Sequence, residues 1–210
     1  MSVTDVARLG ARADLARLLA ACFYEPGPEF AEERVFDAMA QAAAGIDPAL
    51  AGVAARLGAA FAAADLQTLL IDYTRLFLGP VDPRARPYGS VWLEVDGGVM
   101  QDSTMAVSAF YGEGGFEVSG EFRDLPDHVA AELEFLYLLL FKAAQGAAGG
   151  EAAAADAALA LRRRFLTEHL GAWIGPFANA MRAGAETEFY RALADLTERF
   201  VAGEAAAFAS

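Results

Sequence analysis

The stretch from Asp124 to Phe141, DLPDHVAAELEFLYLLLF, sets the tightest limit on how this chain can fold. Asp124 is a capping residue type. Pro126 suits a first helical turn because its missing N–H would be unpaired there, and Asp127 puts negative charge where the helix dipole favours it. Leu133, Leu136, Tyr137, Leu140 and Phe141 then recur at three-and-four spacing, and Leu138 and Leu139 cover the other faces. A helix apolar nearly all round belongs inside a bundle. Its first turns nevertheless carry Asp127, His128, Glu132 and Glu134, so the pattern predicts a central helix over 126–144 with an acidic, titratable mouth.

The rest of the chain reads as helical walls around that element. Apolar periodicity predicts helices over 4–23, with Thr4 or Asp5 as cap, over 29–43, and over 49–63. A further helix runs from Asp65 to the Gly79-Pro80 stop. Residues 79–101 change character: Pro80, Pro83 and Pro87 precede Tyr88-Gly89-Ser90-Val91-Trp92, with room for a short extended piece at Val91–Val95. A loop of that length in a helical protein is usually functional or disordered, and its aromatic side chains argue for order packed on the central helix. Helices follow over 102–111, 154–170 and 187–202. A Gly/Ala-rich flexible loop is expected over 146–155, and a Trp173/Phe177/Met181 stretch is broken by Gly171 and Gly175-Pro176. The expectation is an all-α, single-domain bundle of eight or nine helices over 1–210 with one long functional loop.

Charge narrows the function. A net charge of −13 repels nucleic acid and attracts cations or basic peptides. The one cysteine, Cys22, leaves no internal disulfide, and only His128 and His169 are available as histidine ligands, so neither a metal nor a cofactor is expected. The first 23 residues carry Asp5, Arg8, Arg12, Asp14 and Arg17 and so hold no pure apolar signal core. No apolar run reaches the ~18 residues of a membrane helix. A cytoplasmic protein without stable membrane insertion is the expectation, as monomer or homodimer.

Several residues admit two readings. Asp127 is either a helix-start residue or a ligand contact. His128 and Glu132, four apart on one helical face, are usually a local pair. Tyr73, Leu76 and Phe77 read as core, Tyr88 and Trp92 as core or contact, His169 as a satisfied histidine, and Arg162-Arg163-Arg164 as a solvated helix face. Gly112–Gly115 lacks the lysine and hydroxyl residue of a phosphate loop.

Five motifs in order carry a resemblance. Tyr73-Thr74-Arg75-Leu76-Phe77-Leu78-Gly79-Pro80 is similar to a YxxLFxGP helix end. Pro87-Tyr88-Gly89-Ser90-Val91-Trp92 is similar to a P[YW]xSV[YW] loop. Asp102-Ser103-Thr104, with Phe110-Tyr111 and Gly115-Phe116, continues the series. Pro126-Asp127-His128 with Glu132-Leu133 matches PDHxxxEL, and His169-Leu170 with Trp173 and Phe177 matches HLxxWxxxF. Over roughly 70–180 the chain resembles the TorD/DmsD family of cytoplasmic redox-enzyme maturation chaperones.

That resemblance implies a non-enzymatic role. Family members bind the twin-arginine signal peptide, and sometimes the body, of a molybdenum-cofactor oxidoreductase and delay its export until the cofactor is loaded. It implies a peptide site at Asp127, His128 and Glu132 with Phe77, Gly79, Pro80, Pro87, Tyr88, Ser90 and Trp92. Carboxylates would take the guanidiniums, and an aromatic groove the apolar helix-prone remainder. The competing reading is a helical small-ligand or nucleotide-binding regulator using the same acidic pocket. An acid–base enzyme built on Asp127, His128 and Glu132 ranks last, because no nucleophile or cofactor motif surrounds them.

Overall fold

The structure, a computed structural model, describes residues 2–79, 83–94, 98–100, 102–117 and 124–207. The chain is all-α. In order the helices are α1 (Val3–Ala21), α2 (Glu29–Glu32), α3 (Val35–Ala44), α4 (Pro48–Ala63), α5 (Leu66–Tyr73), α6 (Gly89–Leu93), α7 (Asp102–Gly114), α8 (Val129–Gly149), α9 (Ala152–Phe165), α10 (Gly171–Gly184) and α11 (Glu188–Ala206). Wider π-helical turns extend α5 over Thr74–Leu78 and join α9 to α10 over Leu166–Leu170.

The apolar run from Leu133 onward forms the buried body of α8, which packs along α1 on one side and α9 on the other. Phe23, Phe165, Trp173, Phe177, Phe189, Tyr190 and Phe200 lie fully buried around it in one continuous core. Phe77 belongs to that core: its ring packs against Phe23, Tyr73, Phe177 and Tyr190.

Several local expectations are corrected. α1 is capped by Ser2, with Asp5 closing a reciprocal capping box. The helix expected over 29–43 is two, split where Arg34 takes a left-handed conformation at φ 53°. Val91–Leu93 is helical, not extended. Gly112 and Gly114 lie inside α7, and the turn falls at Gly115 with φ 76°. Trp173, Phe177 and Met181 share one helix despite Pro176. Ala172 and Pro176 lie on its exposed side, so water can satisfy the carbonyl that the proline leaves unbonded.

The expected flexible loop over 146–155 is mostly helix. α8 continues to Gly149 and ends on Gly150 at φ 79°. Gly146 is buried there because α9 passes so close that a Cβ would lie 3.0 Å from the Ala155 amide nitrogen. Glycine and alanine serve close helix approach at this crossing rather than mobility. Arg162 also departs from the solvated-face reading. It is buried and donates to Glu204 of α11, while Arg163 and Arg164 are exposed.

Candidate functional site

His128, not Asp124, caps α8. Its Nδ1 accepts the Ala130 N–H at 3.2 Å, which places the ring proton on Nε2. The residues just before the helix pair with the proline-rich loop. The Gly89 N–H donates to the Asp127 carbonyl and the Val129 N–H to the Pro87 carbonyl, both at 2.8 Å, forming an antiparallel bridge between Tyr88 and His128.

The Asp127 side chain completes this clamp. Its Oδ2 accepts the Ser90 N–H at 2.9 Å, so it caps the first turn of α6 from across the fold. Asp127 is 0% exposed, and Oδ1 has no hydrogen-bond partner among the described residues. Ser90 is buried beside it, and Trp92 donates from Nε1 to the Arg86 carbonyl while its ring meets Phe177.

Glu132 lies one turn further in and is also 0% exposed. Its Oε1 is 2.9 Å from His169 Nε2, and its Oε2 accepts from Trp173 Nε1 at 3.1 Å. This unit, drawn from two distant motifs, forms the floor under α6. At Gly89 a Cβ would come within 3.0 Å of both Glu132 Oε1 and Trp173 Nε1. Any larger residue would require the loop or these buried side chains to give by a few tenths of an ångström. Gly89→Ala is expected to cost about 1–3 kcal/mol, as overpacking does in a dense core. The check is the urea unfolding midpoint, and an unchanged midpoint would show that the loop does not rest on Glu132.

The two histidines titrate in opposite senses. Burial pushes His128 below its ordinary value, against the opposing charges of Asp124 and Asp127. Burial also disfavours charged His169, but the Glu132 charge and hydrogen bond outweigh it and the net shift is upward. Burial raises Glu132 as well, against the pull of His169 and Trp173. The pair therefore holds its proton to higher pH than either group does in water. A raised pKa stabilises the fold below the unfolded value of about 6.5, and that contribution is lost as pH rises through the folded one. A depressed histidine acts on the other side, its contribution fading as pH falls below about 6.5. His169→Gln should flatten the alkaline limb of stability against pH, and His128→Asn the acid limb. Urea midpoints from pH 5 to pH 9 read both limbs. Limbs unchanged in the variants would show that other groups set the profile.

The acidic mouth thus differs from expectation. Asp127 and Glu132 are sealed inside, each already engaged, because both sit on the side of the helix start that the loop covers. The carboxylates that reach solvent beside them are Asp124 and Glu134. Two tyrosines stand between those acids, flanking His128. Tyr24 stacks on its ring at 6.4 Å and Tyr88 meets it edge-on at 5.4 Å. The Tyr24 hydroxyl donates to Glu134 at 3.0 Å, and Tyr24 remains 38% exposed. Burial pushes both phenols up, reinforced by Glu134 at Tyr24 and by Asp124 at Tyr88. Tyr73 rises to about 12 through burial and the charges of Glu25 and Asp124.

Of the residues predicted for the site, Asp127, His128, Glu132, Pro87, Tyr88 and Ser90 converge where α8 begins. Gly79 lies half-buried at the end of the π turn, and Pro80 lies outside the described residues. Phe77 is a core residue. Tyr24 was not anticipated. It sits just past α1, about a hundred positions from the motif, and only its break from the apolar pattern before Glu25-Pro26 could have marked it. Among the described residues no group of three or more metal-ligating side chains comes together, and no single helix is long and apolar enough to cross a membrane.

The described residues thus form a helical bundle whose loop is clamped over a buried Glu–His–Trp unit, beside a face of paired tyrosines and exposed acids. The chain belongs to the nitrate reductase delta subunit family, whose model matches residues 38–179. It is 35% identical over 97 residues to the perchlorate reductase assembly chaperone protein of Dechloromonas aromatica, covering 46% of this chain and 42% of that one. It is 28% identical over 138 residues to the chaperone protein TorD of Photobacterium profundum, covering 66% and 62%. The Tat proofreading chaperone DmsD of Salmonella typhi is 30% identical over 124 residues, covering 59% and 54%. The matched stretches thus span about half the length of these relatives. The crystal structure of a protein assigned to redox enzyme maturation in Archaeoglobus fulgidus shares the fold, with a TM-score of 0.55 at 21% identity over 90% of this chain and 93% of that one. The TorD/DmsD resemblance carried by the motifs is supported.

Proposed function

We propose that this protein is a cytoplasmic maturation chaperone, without catalytic chemistry of its own, that binds the twin-arginine signal peptide of a molybdenum-cofactor oxidoreductase before export. The observation that carries the reading is the Tyr24–His128–Tyr88 face with Asp124 and Glu134 at its edges. Aromatic faces attract guanidinium groups, and exposed carboxylates give them charge-assisted hydrogen bonds. The names of the relatives, an assembly chaperone and two chaperones of the TorD/DmsD type, point the same way. A phosphate-bearing ligand at this face would meet only negative charge, so the small-ligand alternative is the weaker reading here.

Asp127 and Glu132 take an indirect part in this proposal. They hold the loop that presents Tyr88, rather than touching the peptide. The net charge of −13 adds long-range attraction for a cationic segment.

The test is fluorescence anisotropy with a labelled two-arginine signal peptide from low salt to 1 M. The Debye length falls from ~10 Å at 0.1 M to ~3 Å at 1 M, so affinity should drop without vanishing, its apolar part remaining. A peptide with glutamine at both arginines should bind more weakly at low salt and show a flatter slope. Identical slopes for the two peptides would remove the arginine-reading role from this face.

A further inference from the structure

A cavity of about 770 Å³ lies away from the proposed peptide face. It forms where the first turns of α1 and α4 meet the ends of α9 and α11. Its floor is apolar, with Leu9, Leu50, Leu159 and Phe200. Four arginines line it, Arg8, Arg12, Arg162 and Arg199, in a chain that is otherwise strongly acidic.

The acids at the cavity are already engaged. Asp5 accepts the Ser2 N–H and Asp47 accepts the Ala49 N–H, each closing a helix start. Glu204 is buried and receives both Arg12 and Arg162. That leaves none of its charge for the two exposed arginines at the rim. Arg8 donates to the Ile46 carbonyl and lies in the field of the Asp5 carboxylate, while among the described residues Arg199 has no hydrogen-bond or ion-pair partner. The amino-terminal turn of α4, a helix of 16 residues, opens on the same space and adds partial positive charge.

We infer that this cavity is a binding site for a small organic anion with an apolar body, its carboxylate or phosphate head held by Arg8 and Arg199 and its body resting on Leu9, Leu50 and Phe200. Its volume lies within the range of small-molecule sites, ~300–1,000 Å³, and an apolar floor under a few charged groups is the usual lining of such sites. Guanidinium forks suit a planar or tetrahedral oxyanion. A second arginine peptide is disfavoured here for the same reason that the tyrosine face favours one.

Titration calorimetry on the full chain tests this with three probes that share an eight-carbon tail: nonanoate, octyl phosphate and neutral 1-octanol. The expected result is one bound molecule per chain for at least one anion, at least tenfold tighter than octanol and weakening with salt. Octyl phosphate tighter than nonanoate assigns a phosphate head, and the reverse a carboxylate head. Arg199→Ala should weaken the anion at least fivefold with an unchanged thermal midpoint, since Arg199 holds nothing else in the fold. Arg199→Glu should weaken it further. Glu134→Gln, on the peptide face, should leave it unchanged. No saturable binding of either anion, octanol binding as tightly as the anions, or Arg199→Glu binding like the natural chain would each overturn the inference.

Discussion

Replacing Glu132 by alanine should destabilise this protein by about 3–5 kcal/mol, the usual cost of removing one partner of a buried charged pair. The carboxylate is 0% exposed and holds two groups at once, His169 Nε2 at 2.9 Å and Trp173 Nε1 at 3.1 Å. Without it both would remain in the core with no acceptor, and a cavity would open beneath Gly89. At about 2–4 °C per kcal/mol for a chain of this size, the melting midpoint should fall by roughly 10 °C. Glu132→Gln keeps an acceptor for Trp173 and removes the charge, so its cost should be clearly smaller. Calorimetric melting of the two variants beside the natural chain is the measurement. Equal losses would mean that charge, not hydrogen bonding, is what the site requires. No loss in either would mean that α6 does not depend on this unit.

Neutralising the exposed acids should produce the largest change in peptide affinity with little change in the fold. Asp124→Asn and Glu134→Gln each remove a carboxylate from the rim of the tyrosine face. Hydrogen bonds to charged groups contribute ~1.5–3 kcal/mol, solvent screening moves an exposed pair toward the low end, and ~1.4 kcal/mol is tenfold in affinity. Each variant should therefore bind a two-arginine peptide about tenfold more weakly, and the pair together more weakly still. Tyr24→Leu removes the stacking surface and should cost about threefold, matching a cation–π contact of ~0.5–1 kcal/mol. Asp127→Asn behaves differently under this geometry. It should lower thermal stability through the lost charge at the start of α6, and lower affinity only as the loop loosens. Anisotropy titrations paired with melting curves separate the two patterns. A large affinity loss in Asp127→Asn with an unchanged melt, and none in Asp124→Asn or Glu134→Gln, would return the arginine-binding role to Asp127.

The residues of the central element were legible in the chain because their information is local. Leu133, Leu136 and Leu140 recur with the helical period, and a sequence displays that period directly. The same holds for the all-α class and for the helix end at Gly79. The motif residues Asp127, His128, Glu132 and His169 were also visible, as types at set spacing, and they do converge on one place. What spacing could not convey was which way each carboxylate faces. Asp127 and Glu132 turn inward because a loop from about forty residues upstream docks over them. Asp124 and Glu134 stay in water because nothing covers them. Four acids within eleven positions look alike in a string of letters.

Glycine was the residue most easily misread. Gly146 and Gly149 signalled a flexible loop, yet α8 runs through both, and at Gly146 the glycine marks where another backbone passes. Local composition does not distinguish a residue that frees the chain from one that makes room for a neighbour. Tyr24 is the plainest case. It belongs to the tyrosine face only because α1 packs along α8 and ends beside His128. The period of apolar residues, an intrinsic property of the chain, determined that α8 is a buried helix. The pairing of distant segments, which depends on the whole packed fold, decided which of its polar neighbours hold the protein together and which are left facing solvent.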